Sequence, residues 1–260
     1  MNSECYNKVT ACIVTYNNKS EVIGAYRSLF GKTVKYPLKL YVSDNASADG
    51  TADWFADKEN VEVLKHGKNI GFGAAHNAVL KEQIGEYHFV VNPDIIVSGD
   101  VISEMVDFMK ENPDVVMAMP RICNADGSEQ KLPKEHPTFV NLFLGRLAPL
   151  GGIFRRIRNN YVWADRETDE VTDIDFCSGC FFCIRGSAFK ELNGFDERYF
   201  MYLEDADLTM RAKKLGRVVI APQFSVMHIW HRESAKSLKY LFIHIISSFK
   251  FLNKWRSYRQ

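Results

Sequence analysis

Two acidic residues in succession, Glu204 and Asp205, close a run of aromatic and apolar side chains, Phe200, Met201, Tyr202 and Leu203. A poorly hydrated approach of that kind raises a carboxyl group's proton affinity, so one of the two acids can serve as a general base. The alternative is a helix start, where Asp205 and Asp207 would favour the helix dipole. A further acid, Asp94, follows Asn92 and Pro93. Proline cannot donate to a ladder, so a strand ending at Pro93 would present Asp94 at its carboxyl edge. There its oxygens would suit a hard divalent ion, magnesium or manganese; an ordinary Asn-Pro-Asp turn is the plainer reading. Cys177, Cys180 and Cys183 have metal-like spacing, but their surroundings are apolar and no second Cys/His cluster completes a tetrahedral site. They are expected to be reduced core thiols.

The elements that must carry these residues follow from hydrophobic pattern. Short apolar, β-branched runs at 9–14, 38–43, 61–64 and 87–91 predict four strands, the first of them buried. Each gives way to a polar or glycine-containing loop: Thr15, Tyr16, Asn17 and Asn18; residues 44–51; residues 69–77; and Asn92 to Asp94. Helices are expected after these loops, with Trp54 and Phe55 starting one packed face. Asp100 is placed to cap another helix, which carries Val101, Met105, Phe108 and Met109 and stops at Pro113. Strands alternating with helices predict an α/β fold with a mostly parallel, Rossmann-like central sheet flanked by helices. Ligands gather outside the carboxyl ends of such strands, where Asp44 and Asp94 both fall. Residues 121–173 read as a long irregular insertion carrying substrate contacts.

With 33 basic and 32 acidic residues, the 260-residue chain has no global field that would mark a nucleic-acid binder. The N-terminus shows no signal-peptide pattern, and no apolar run reaches the roughly 20 residues that span a bilayer. A cytoplasmic location is expected.

In order along the chain come IVTYN at 13–17, DNASADGT at 44–51, NIGFG at 69–73 with Asn77, and NPD at 92–94. Ser178 and Gly179, GFDE at 194–197, FMYLEDADL at 200–208, Arg211 and Gly216 complete the set. Any one motif is weak, but the ordered set resembles the inverting family 2 glycosyltransferases of the GT-A fold, particularly bacterial rhamnosyltransferases. The resemblance spans most of the chain. It implies a GT-A domain over 1–233, with a nucleotide-binding half (1–119) and an acceptor and catalytic half (120–233).

The resemblance also implies roles. Asp205 would be the base and Glu204 would orient the acceptor or its neighbour. Asp44 would accept a hydrogen bond from the imide of a pyrimidine base, or merely cap its turn; Thr15, Tyr16 and Asn17 would shape the same pocket. Asn69, Gly71, Asn77 and Asn92 join the nucleotide-sugar set. Asp94 would hold Mg2+ or Mn2+, although the usual pair of aspartates around one residue is here reduced in charge by Asn92. A late histidine would complete the metal or diphosphate site: His228, reached after a strand at 217–221 and a Pro222 turn, or else His231. Arg211 could face the diphosphate or pair with Asp207 four residues earlier.

From Ser234 to residue 260, Leu238, Leu241, Phe242, Ile245, Phe249 and Leu252 recur at helical spacing among lysines and arginines. This predicts an amphipathic basic helix that docks on a membrane surface or packs on the core or a second subunit. The expected reaction moves L-rhamnose from dTDP-L-rhamnose to a saccharide, lipid-linked if the membrane reading holds, at the inner face of the membrane. A UDP-sugar donor such as UDP-galactofuranose or UDP-glucose is the runner-up. A silent nucleotide-sugar-binding subunit and a nucleotidyltransferase are the competing classes, and the second lacks its glycine-rich basic loop after the first strand.

Overall fold

The computed structural model describes residues 8–132, 134–229 and 238–257. Among the described residues, nine strands form one sheet: β1 (Val9–Thr15), β2 (Leu38–Asp44), β3 (Val61–Lys65), β4 (Tyr87–Val91), β5 (Ile95–Ile96), β6 (Val115–Cys123), β7 (Thr172–Asp173), β8 (Phe181–Arg185) and β9 (Arg217–His228). The helices are α1 (Lys19–Lys32), α2 (Thr51–Phe55), α3 (Phe72–Asn77), α4 (Val101–Glu111), α5 (Phe139–Phe143), α6 (Gly152–Val162), α7 (Gly186–Glu191), α8 (Glu204–Ala212) and α9 (Leu238–Lys254).

Strand order is β3-β2-β1-β4-β8-β6-β9-β5, with β7 also on β9. The four strands expected from apolar runs pair in parallel, and β6 pairs with β9 in the same sense. Every residue of β1 is buried, as befits a strand covered on both faces. Beyond β4 the sheet is mixed: β8 enters antiparallel between β4 and β6. Its position matters because β8 brings the turn at 178–180 to the carboxyl end of β4.

Asp100 caps α4 through a bond from the Ser103 amide, and Val101, Met105, Phe108 and Met109 are buried as the pattern requires. Two expectations need correction. Residues 121–173 are not irregular: they fold into the end of β6, α5, a 3-10 segment at Leu144–Leu150, α6 and β7. Pro222 is not a turn. β9 runs through it, and the register against β6 jumps from Pro120↔Ala221 to Arg121↔Ser225, a bulge of the kind that tolerates proline inside a sheet.

A second apolar cluster, apart from the main sheet core, joins Leu142 of α5, Tyr161 of α6, Ala206 and Met210 of α8, and Phe251 of α9. Full burial of Phe251 is worth about 1.5–3 kcal/mol, enough to seat α9 beside α8. The opposite side of α9 leaves Leu238, Phe242, Ile246 and Phe249 exposed. Its basic residues are partly used internally: Lys250 donates to the Arg198 carbonyl, and Lys254 pairs with Asp196 and Asp207. His231 and Ser234 lie outside the described residues. Among the described residues, no helix is long and apolar enough to cross a membrane.

Candidate active site

Parallel pairing places Thr15 in register with Asp44, so the loops after β1 and β2 leave the sheet side by side. They are then tied together. The Asn17 amide donates to Ser47 Oγ at 3.0 Å, and Asn17 Oδ1 accepts from the Ala48 amide at 2.7 Å. Asn17 sits at φ 54°, a left-handed conformation that asparagine tolerates. Thr15 Oγ1 and the Tyr16 amide both donate to Asn18 Oδ1, while the Tyr16 ring stays half exposed. Asp44 is buried and accepts from the Ser47 amide at 3.3 Å, so it does cap its turn.

The glycine loop serves a different end. Asn69 Oδ1 accepts from the Gly71 amide at 3.0 Å. Gly71 has φ 95°, and a Cβ there would lie 2.4 Å from the Phe200 carbonyl oxygen. The Phe72 amide donates to that same oxygen at 2.9 Å, pinning the start of the acidic loop to α3. Asn77 fastens the loop's other approach: it donates to the Phe195 carbonyl and Glu197 Oε1, and it accepts from the Phe195 amide. Asn77 therefore supports the 194–197 turn, and its hydrogen-bonding groups are directed at the protein. Arg211 behaves likewise, bonding Asp207 Oδ2 and the carbonyls of Leu192 and Gly194, each at 2.8 Å. Of the two roles open to Arg211, the Asp207 ion pair is the one formed.

At the carboxyl end of β4, the Asn92 amide donates to the Cys180 carbonyl at 2.8 Å, and the chain turns at Pro93. Asp94 Oδ1 then lies 3.2 Å from His228 Nε2, where β5 and the end of β9 pair. Gln130 sets that imidazole's state. Its Nε2 must be the atom donating to the His228 carbonyl at 2.8 Å, because a carbonyl only accepts. That leaves Gln130 Oε1 facing Nδ1 at 3.0 Å, so Nδ1 carries the proton. Nε2 is then the ring nitrogen that faces Asp94 Oδ1, a buried oxygen with no other hydrogen-bond donor among the described residues. An imidazole nitrogen and a carboxylate oxygen at this spacing are groups that can ligate one cation, with Gln130 in the orienting position that metal-bound histidines usually have. No cluster of three potential metal ligands occurs among the described residues.

Asp205 stands across the 178–180 turn from this pair. Its Oδ2 accepts from the Gly179 amide at 2.9 Å, and its Oδ1 from the Ala206 amide at 2.9 Å. Burial pushes its pKa up to about 6, with those backbone bonds pulling the other way. Burial, then the neighbouring Asp205 charge, holds Glu204 well above the usual carboxylate range, and its buried Oε2 has no hydrogen-bond partner among the described residues. One acid is thus kept protonated beside another that ionises near neutrality. The two residues before them, Tyr202 and Leu203, both adopt left-handed backbone (φ 70° and 66°), strain of the sort that concentrates at functional sites. Cys180 registers both sides of the turn. Burial lifts its thiol to about 12, against a Ser178 hydrogen bond, and the charges of Asp94 and Asp205 add to the rise. With Cys177 and Cys183 it is a free, buried thiol.

A cavity of about 560 Å³ opens beside Glu204 and Asp205, lined also by Ser178, Tyr161, Arg158 and His244; Asp94 is not part of its wall. Pattern reading missed Gln130, Arg146, Tyr161 and His244. It takes the apolar and basic run Phe154 to Arg158 as a surface for anionic lipid headgroups, and Arg158 of that run lines this cavity.

A glycosyl transferase family 2 model matches residues 10–192. The N-acetylglucosaminyl-diphospho-decaprenol L-rhamnosyltransferase of Mycobacterium tuberculosis is 32% identical over 208 residues, covering 74% of this chain and 66% of the relative, just under two thirds of its length. The rhamnosyltransferase WbbL of Escherichia coli is 29% identical over 203 residues, 72% of this chain and 71% of the relative. A mannosyltransferase from Pyrobaculum calidifontis, solved with GDP-Man and Mn2+, superposes with a TM-score of 0.62 at 16% identity, covering 94% of this chain and 64% of that one. GalNAc-T7, solved with UDP, GalNAc and Mn2+, gives 0.66 at 15% identity, over 89% of this chain and 44% of that one. The fold is that of these enzymes, and the chain belongs to glycosyl transferase family 2.

Proposed function

We propose that the protein is an inverting glycosyltransferase that moves L-rhamnose from dTDP-L-rhamnose onto a lipid-linked saccharide at the inner face of the cell membrane. The observation that carries the reading is the pairing of environments across the 178–180 turn: the Asp94–His228 contact on one side and a base-like Asp205 on the other. Asp44 and the loop at 15–17 would hold the pyrimidine end of the donor. Asp94 and His228 would hold Mg2+ or Mn2+, and the ion would supply positive charge against the departing diphosphate oxygens. Substrate oxygens and water would fill the remaining coordination positions.

Asp205 takes the proton of the acceptor hydroxyl as that oxygen bonds to the anomeric carbon. The bond from that carbon to the diphosphate oxygen breaks, and the nucleoside diphosphate leaves from the opposite face. A single displacement inverts the configuration. Glu204, held protonated, adds no competing charge beside the base.

The names of the mycobacterial and E. coli relatives favour rhamnose and, for the first, a diphosphate-linked lipid acceptor. The exposed apolar residues of α9 favour a membrane surface. A UDP-sugar donor is the second reading, since uracil and thymine share the imide edge that Asp44 would meet. Incubation with dTDP-rhamnose and a panel of UDP-sugars, with and without EDTA, tests the reading through released nucleoside diphosphate. Release from dTDP-rhamnose that stops in EDTA is expected. Release from no donor, with nucleotide binding retained, would instead favour a silent binding subunit.

A further inference from the structure

The cavity beside Asp205 carries charge that a neutral sugar does not call for. Its wall is built by the 3-10 segment, α6 and α9, all outside the nucleotide half. Two arginines line it: Arg158, half-buried on α6, and Arg146, at the open rim. Burial lowers the proton affinity of both, and the groups that offset it are tyrosines, Tyr161 beside Arg158 and Tyr202 beside Arg146. Among the described residues, no carboxylate lies in ion-pair range of either guanidinium. Arginine does not shed its proton in such surroundings, so the wall keeps two positive charges, and among the described residues neither Glu204 nor Asp205, the carboxylates of the same cavity, pairs with them.

Glu204 and Asp205 also line this wall, and neither forms an ion pair with the two arginines. His244 is held neutral, its pKa pulled down to about 4 by burial and then by Arg146. Tyr161, kept protonated by burial, lies within the influence of both Asp205 and Arg158, which links the cationic wall to the base. At the mouth, Leu241 of α9 lines the cavity and Leu147 follows Arg146, both exposed. Two guanidinium groups, the Asp205 carboxylate and an exposed apolar side chain, Leu241, thus share one cleft.

We propose that Arg146 and Arg158 bind the phosphate or diphosphate ester of the acceptor, so that the sugar it carries reaches Asp205 while its apolar chain leaves along Leu147 and Leu241. Guanidinium forks match phosphate oxygens in paired hydrogen bonds, and partial enclosure strengthens them. The proposal rests on the glycosyltransferase reading only in taking the Asp205 cavity as the acceptor's entrance. It adds which group of the acceptor the protein recognises.

Binding of farnesyl diphosphate, farnesol and inorganic diphosphate to the full chain, with the donor pocket saturated by dTDP and Mn2+, tests it. Farnesyl diphosphate is expected to bind more tightly than farnesol by about tenfold or more. In the Arg146→Gln/Arg158→Gln variant that preference should fall to about twofold or less, with dTDP binding unchanged and the Lys/Lys variant keeping part of it. Should the double variant lose dTDP binding through misfolding, Arg146→Gln alone, at the exposed rim, decides by a partial loss. Equal binding of the two farnesyl compounds, or a preference that survives these variants, would overturn the proposal. Tight binding of inorganic diphosphate alone, without farnesyl diphosphate, would overturn the apolar path. An arginine-dependent preference in a protein that cleaves no nucleotide sugar would sink the transferase reading and leave this site standing; turnover without that preference would do the reverse.

Discussion

Replacing Asp205 by asparagine removes a carboxyl group whose ionisation burial moves to about 6. General-base catalysis contributes typically 10² to 10⁴-fold, so Asp205→Asn should lose about that factor in kcat, roughly 3–5 kcal/mol of barrier. The wild-type pH profile provides the second reading. A base with a pKa of about 6 is mostly ionised at pH 7 and only about one tenth ionised at pH 5, so kcat/KM should fall about tenfold across that interval. Burial and the Asp205 charge favour the protonated form of Glu204, and Glu204→Gln, which copies the neutral acid, should remain within about threefold of wild type. For stability the sign is opposite to that of a salt-bridged aspartate. The folded pKa exceeds the ordinary 3.8, so Asp205's contribution is fully present below that value and is lost as pH rises through about 6. Initial rates of nucleoside diphosphate release at saturating donor measure the catalytic effects. A flat profile between pH 5 and 7, or Asp205→Asn retaining most of its rate, would refute the assignment.

Gln130→Leu leaves both proposed metal contacts in place but frees the His228 tautomer, and should weaken Mn2+ binding about 10- to 100-fold by calorimetry. Asp207→Ala strips a fully buried carboxylate from Arg211, Lys254 and the Trp255 indole; urea unfolding should show a loss of about 3 kcal/mol. Gly71→Ala sets a Cβ against the Phe200 carbonyl at a left-handed φ, displacing the acidic loop; kcat should drop by about 10²-fold, far more than the accompanying loss in Tm would explain. Phe242→Ser with Phe249→Ser should abolish flotation with anionic liposomes while leaving nucleotide binding unchanged, since both side chains are exposed.

Residues 1–119 were readable because β1, β2 and β4 are almost wholly buried and the strands run into asparagine, aspartate, glycine or proline signals, so β1 to β4 start where the apolar runs do, even at the part-exposed β3. Residues 120–233 were less so. α5 and α6 bury few residues, Leu142, Tyr161 and Val162 among them, in a small cluster completed by α8 and α9, and no local period announces so sparse a face. Pro222 read as a turn because proline breaks ladders; a bulge against β6 absorbs it, and only the pairing partner reveals that. Asp94, His228, Glu204 and Asp205 were each legible as candidates, but their states depend on Gln130 and on burial contributed from distant positions. Arg211 and Asn77 fell in motifs yet bond protein atoms, because the turn at 194–197 needs them more directly than a ligand does.

The most direct test of the account is a crystal structure of the protein with Mn2+ and unreacted dTDP-rhamnose bound to the Asp205→Asn variant. The account predicts an anomalous manganese peak between Asp94 and His228 Nε2, with the sugar's anomeric carbon turned toward position 205. Manganese bound elsewhere, or a sugar lying away from the cavity beside Glu204, would contradict it.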